Sequence, residues 1–219
     1  VTVDWDWSYT GDILPDLLKG LRYTIIATLA GYAIAIVLGM VWTLLRRTPF
    51  AAVNQAVRWI TEFIRSTPLL VQLFFLYNVL PSWGLSLSSL TTGIIGLGLH
   101  YSTYTAEVYR AGIADVPRGQ WEAATALNLP RSRVWLDVIL PQAVRRVIPT
   151  LGNYLIAMFK DSPLLLAINV AELLHEAFEV GSKSLMFLEP ITLVGLLFVA
   201  VSVPSSILVR RLERRYATY

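Results

Sequence analysis

The sequence predicts an all-α, polytopic integral membrane protein with five transmembrane helices. Three observations lead there. First, 55% of the 219 residues are hydrophobic and only 15% are charged, with a mean hydropathy of +0.58. That is too apolar for an ordinary soluble domain. Second, charge-free runs recur at lengths close to the roughly 20 residues a membrane helix needs. Third, arginines gather in alternate loops, as they do when one side faces the cytoplasm.

The runs fix the elements in order. Tyr23 to Leu45 carries no charge and stops at Arg46-Arg47, so the first span covers about 21–45. From Ser66 to Ala106 there is no formal charge, a length beyond one span, and Leu80-Pro81-Ser82-Trp83-Gly84 interrupts it with a turn signal. The second and third spans therefore cover about 62–80 and 90–113. The fourth, about 147–171, is apolar apart from Lys160-Asp161. The fifth, about 190–209, ends in the basic run Arg210 to Arg215. Glycines scattered through these spans suit helices packed in lipid. No repeat, low-complexity tract or soluble domain interrupts them, so 1–219 reads as a single membrane domain.

Charge sets the orientation. Arg46, Arg47 and Arg58 lie between spans one and two. Arg118, Arg131, Arg133, Arg145 and Arg146 lie between three and four, and Arg210, Arg211, Arg214 and Arg215 follow five. The other side has only Lys19, Arg22 and Lys183, with Asp4, Asp6, Asp12, Asp16, Glu172, Glu176, Glu179 and Glu189. The N-terminus is expected outside and the C-terminus in the cytoplasm. The acidic, aromatic start has no basic residue before an apolar core, so no cleaved signal peptide is expected.

Several function classes find no support. No G-x-x-x-x-G-K-[ST] phosphate loop and no H-E-x-x-H occur, so no cofactor or metal is expected on this chain. Cysteine is absent. His100 and His175 stand on separate segments, and His100 reads as a structural histidine. No basic face exists outside the membrane-flanking loops, which argues against nucleic acid.

The segment 117–141 is different. It is charged, and it reads as two short helices around Pro130. Glu122 suits the first turns of a helix. Asn128 stands at the stop, where a residue at positive φ is wanted and Asn is second only to Gly. Pro130 can open a second helix from about Arg131 to Leu140, and Pro141 starts the return to the membrane. Bulky Trp121, Leu127, Leu129 and Trp135 beside Ala123, Ala124 and Ala126 suggest a docking surface.

This segment resembles the EAA loop of ABC importer membrane subunits, E-A-A-x-x-x-G-x9-I-x-L-P. Here it runs Glu122-Ala123-Ala124, three residues, Asn128, nine residues, Val138, Ile139, Leu140, Pro141. Asn128 stands for Gly and Val138 for Ile. TEFIRSTPLLVQLFFLYNVLP and LPQAVRRVIPTLGNYLIAMFKDSPLL look like the polar amino-acid uptake branch of these permeases. GLGLHYSTYTAEVYRAGI with ATALNLP is similar to the ectoine/hydroxyectoine importer subunit within it.

The resemblance implies a type I ABC importer transmembrane domain in the bacterial inner membrane. It implies a permease subunit for ectoine, hydroxyectoine or a related zwitterion. The alternative cargo is glutamate, glutamine, arginine or histidine, and an ion-coupled carrier is a further alternative. Its partners would be ATPase subunits using ATP and Mg, a second permease (a paralogue rather than a second copy of itself), and an extracytoplasmic solute-binding protein. The ATPase-coupling residues would be Gly119, Trp121, Glu122, Ala123, Ala124, Leu127, Asn128, Leu140 and Pro141. The chain itself would not be an enzyme.

Charges inside a span are costly and point to function. Glu107 and Arg110, three apart, read as a structural pair. Lys160 and Asp161 point about 100° apart and cannot pair well with each other, so each needs another partner. Either neighbouring helices or a zwitterionic substrate could supply it. The candidate substrate pathway is Glu62, Thr67, Gln72, Lys160 and Asp161, with Tyr77, Tyr101 or Tyr104 offering ring faces to a cation.

Overall fold

The computed structural model describes residues 5–216. Asp4, counted above among the outer acidic residues, lies outside them. The described residues form helices and no strand.

The first helix, α1, spans Trp7–Leu45, 39 residues. At 1.5 Å per residue it is about 58 Å long, well beyond the roughly 30 Å hydrocarbon core. It starts fourteen residues before the predicted span, because Asp6 caps it. The Asp6 carboxylate accepts the Tyr9 N–H at 2.9 Å, and the Asp6 N–H donates to Glu189 Oε1 at 3.1 Å.

Against α1 lies α4, Ser89–Ala114, the helix buried in the middle of the bundle. Ala27, Gly31, Ala35 and Gly39 recur every four residues and are all buried. This stripe of small residues lets the two backbones approach. At Gly39 an added Cβ would lie 2.0 Å from Thr105 Oγ1 and 2.9 Å from the Ser102 carbonyl oxygen. Thr105 Oγ1 donates across the seam to Ala35 O at 2.7 Å, and Trp42 Nε1 donates to Ser102 Oγ at 3.0 Å.

The predicted second span is divided. Glu62 and Arg65 belong to α2, Ala51–Ser66, and the chain then turns by 103° into Leu69–Trp83. Pro68 causes the corner, since it offers no N–H and blocks a continuing helix. The second part begins as α3, Leu69–Phe74, and continues through a π turn, Phe75–Val79, and a 3₁₀ turn, Leu80–Trp83.

After α4 comes the short α5, Arg118–Ala126, and then a long rod. The rod starts as α6, Arg131–Arg133, widens into a π turn, Val134–Ile139, and runs on as α7, Leu140–Asp161. The expected separate helix ending near Leu140 is therefore not a separate element. Pro141 lacks the N–H an α-helix would use there, and the π turn before it absorbs the mismatch, with the Leu140 N–H reaching Trp135 O. A 3₁₀ turn, Ser162–Ile168, follows and closes at Asn169, φ 58°. The chain bends 48° into α8, Leu173–Ser184. Fully buried Glu172 caps it, accepting from the Leu174 and His175 N–H groups at 2.9 and 2.8 Å. The last helix is α9, Leu188–Tyr216.

Among the described residues, α1 and α9 are long and apolar enough to cross a membrane, or up to four spans exist if each bent pair is one. α4 reads less apolar because Thr92, His100, Ser102, Thr103 and Thr105 are buried within it. Helices that shield it from lipid and hydroxyls bonded to backbone carbonyls make those residues tolerable.

Candidate functional site

The loop 117–141 is folded onto the rod. Trp121 meets Trp135 edge-to-face at 5.3 Å, beside a small core of Val116, Ile139 and Ala143. Gln142 Nε2 donates to Gln120 Oε1 at 3.1 Å, and Arg146 Nη1 donates to Asp115 O at 2.6 Å. These bonds fix the start of α5 and the turn before it.

α5 ends as a helix with a left-handed stop does. The Leu129 N–H reaches Ala124 O at 3.1 Å and the Asn128 N–H reaches Thr125 O at 2.9 Å. Asn128 has φ 51°. This is the paired C-terminal bonding that a residue in the left-handed region allows. Asn128→Gly should leave thermal unfolding unchanged. Asn128→Val should cost about 1–2 kcal/mol, since a β-branched residue is strained there. Equal unfolding profiles for the two variants would remove the backbone argument.

The expected docking face is only partly outward. Ala124 is 2% exposed, and Trp121, three residues earlier, shares its inward face. Trp135 faces the same junction. The small side chain at Ala124 therefore serves packing within this chain. Glu122, Ala123, Leu127 and Pro141 are exposed, Leu140 is half-buried, and a Cβ on Gly119 would meet nothing within 4 Å.

Above the loop, an ion network binds three helices. Glu107 Oε1 accepts from Arg46 Nη1 at 2.6 Å, and Glu107 Oε2 from Arg110 Nε at 2.7 Å. Arg65 Nη1 stands 3.7 Å from Glu107 and also pairs with Glu62. The expected Glu107–Arg110 pair is thus one part of a hub joining α1, α2 and α4.

Two pathway candidates have a local job. Gln72 Nε2 donates to Ile64 O at 2.6 Å and to Thr67 O at 2.9 Å. It thereby satisfies carbonyls freed at the Pro68 corner. Thr67 Oγ1 donates to Phe63 O at 2.7 Å. Glu62, more than half exposed at its side chain, lies in α2 and not beside Asp161.

Lys160 and Asp161 end α7. Asp161 Oδ2 accepts from Tyr101 Oη at 2.6 Å. Tyr101, Tyr104 and Tyr154 stand 5.6 to 6.3 Å apart, and His100 lies 5.3 Å from Tyr104. The buried His100 Nδ1 has no hydrogen-bond partner among the described residues. Tyr77 packs against the same core as Tyr101 and accepts from Ser89 Oγ at 3.2 Å. Lys160 is exposed and forms no ion pair among the described residues. One carboxylate and a cluster of aromatic rings thus gather where α4 meets the end of α7, with the exposed Lys160 next to Asp161 in the chain. Such a carboxylate among aromatic rings suits a cationic group.

Tyr154 and the hub role of Glu107 escaped sequence reasoning. Tyr154 had no charged neighbour to mark it. Arg46 and Arg65 reach Glu107 only through the packing of α1 and α2 on α4.

Residues 31–218 match the family model for the binding-protein-dependent transport system inner membrane component. A probable amino-acid ABC transporter permease protein, y4tG of Sinorhizobium fredii, is 45% identical over 95% of this chain and 90% of its own length. The glutamine transport system permease protein GlnP of Escherichia coli is 32% identical over 97% and 98%. A crystal structure of an amino acid ABC transporter with histidines superposes with a TM-score of 0.93 at 31% identity, covering 97% of this chain and 100% of that one. The inward-facing MetNI methionine ABC transporter shares the fold, with a TM-score of 0.74 at 18% identity over 92% and 98% of the two chains. The protein is accordingly a multi-pass inner-membrane protein. The chain belongs to the family of inner membrane components of binding-protein-dependent transport systems.

Proposed function

We propose that this chain is the permease subunit of an ATP-driven importer for a polar amino acid. The observation that carries the cargo is the Asp161 carboxylate, held by Tyr101 among aromatic rings, with unpaired Lys160 beside it. An α-ammonium would approach Asp161, and an α-carboxylate would approach Lys160. The similar proteins named above are described by amino-acid or glutamine transport, which favours this cargo over ectoine or hydroxyectoine. Five spans, an outer N-terminus and a cytoplasmic loop 117–141 belong to the same proposal, supported by the arginine distribution.

In this reading the chain binds no ATP. Partner ATPases hydrolyse it with Mg and press on the exposed face of α5. A binding protein delivers the solute outside, and a second permease, a paralogue, completes the pathway. Glu62, Thr67 and Gln72 then act through the shape of the Pro68 corner rather than by touching solute.

Asp161→Asn tests the cargo site. In the reconstituted importer it should lower glutamine uptake roughly tenfold or more, as loss of a charged hydrogen bond would. ATPase association should persist. Unchanged uptake kinetics would remove Asp161 from the site.

A further inference from the structure

We propose that the groove between the end of α1 and the start of α7 binds a phospholipid with an acidic head group. The groove has a volume of about 620 Å³. Its body is apolar, with Leu44, Val144 and Val147 among its walls, and Leu44 and Val144 open outward, 59% and 47% exposed. Its mouth is basic. Arg47 and Arg131 both line it, beside Trp135.

The charge at this mouth is uncompensated. Arg46, Arg65 and Arg110 share Glu107, whereas neither Arg47 nor Arg131 enters an ion pair among the described residues. The Arg47 guanidinium lies over the Trp135 ring, 5.0 Å from its centroid. Partial burial pulls its pKa down from the usual value, and an arginine still keeps its charge. A cation without a counter-ion, partly shielded by an indole at the head of an apolar groove, complements a phosphate that carries its own acyl chain. Arg47 directly follows the predicted first span, near the depth where a lipid phosphate lies and where an indole is at home, and Arg131 lines the same groove.

The site reaches the coupling loop. Trp135 contacts Trp121 of α5, so a lipid against Arg47 and Trp135 braces the surface on which α5 rests. The proposal does not depend on which solute is carried.

The test places the assembled complex in phosphatidylcholine nanodiscs with added phosphatidylglycerol and reads retained lipid by native mass spectrometry. Arg47→Gln and Arg131→Gln should each weaken phosphatidylglycerol retention roughly fivefold. Arg47→Lys should keep most of it. Val144→Trp, which fills the groove and leaves both charges, should lower it as well. Arg210→Gln with Arg211→Gln, basic residues outside the groove, should change nothing. Equal retention of the two lipids by the wild type would overturn the proposal. So would full retention by the double variant of Arg47 and Arg131, or an equal loss in the Arg210 and Arg211 control. A photocrosslinker on Val144→Cys that captures a partner subunit instead of lipid would assign the groove to a protein interface and end the idea.

Discussion

Replacing Glu122 with lysine should strip the ATPase from the membrane subunit and leave the subunit folded. Glu122 lies on the outward face of α5 and makes no side-chain bond or ion pair among the described residues. Its removal therefore takes nothing from the fold. On the proposed function its value lies in a partner, and truncating a charge paired across an interface costs about 2–5 kcal/mol. Affinity for the ATPase should fall roughly thirtyfold or more, with charge reversal adding repulsion. Ala124→Leu should reach the same loss by another route. Ala124 is 2% exposed, so the larger side chain must push α5 off the rod. Co-purification of the ATPase, alongside thermal unfolding of the permease, separates the two. Glu122→Lys should lose the ATPase at an unchanged unfolding temperature, and Ala124→Leu should lower both. Undiminished co-purification with Glu122→Lys would sink the assignment of this face.

Gly39→Leu should prevent the bundle from closing. A Cβ at that position would overlap Thr105 Oγ1 and press on the Ser102 carbonyl. The second contact is backbone, so no rotamer change relieves it. The seam would open and weaken the Thr105–Ala35 and Trp42–Ser102 bonds. Overpacking a core typically costs about 1–3 kcal/mol, and a backbone clash takes this case to the top of that range or past it. Gly195→Leu is the control, because nothing lies within 4 Å of a Cβ there. Folded yield from detergent extracts should collapse for Gly39→Leu and hold for Gly195→Leu. Equal yields would show that the small-residue stripe is not what brings α1 and α4 together.

These residues show what could be read ahead of the structure. The helical class follows from charge-free runs, and the left-handed stop at Asn128 follows from backbone chemistry, since only a few residues accept positive φ. Asp161 stood out because a charge in an apolar run needs a partner. Three things were not legible. The start of α1 depends on Asp6 capping a helix whose next turns are polar, so hydropathy hid it. The Pro68 corner looked like part of a span, because Gln72 repairs the backbone there through bonds no spacing rule displays. The inward turn of Trp121 and Ala124 on α5 was hidden because small and aromatic residues resemble an interface wherever they point. The small residues of α1 at every fourth position were readable, but the packing they permit is visible only once α4 lies against them.

The rod from Arg131 to Ile168 has a mechanical consequence. One end carries the loop that α5 caps, and Asp161 lies about 45 Å away along the axis. No coil interrupts the path. The π turn at Val134–Ile139 is the one place near the loop where its winding relaxes. On the proposed function, a stroke delivered to α5 would reach Asp161 as a swing of this rod about that softer joint, with Pro149 a second place where it can bend. The far end would sweep through a larger arc than the near end travels.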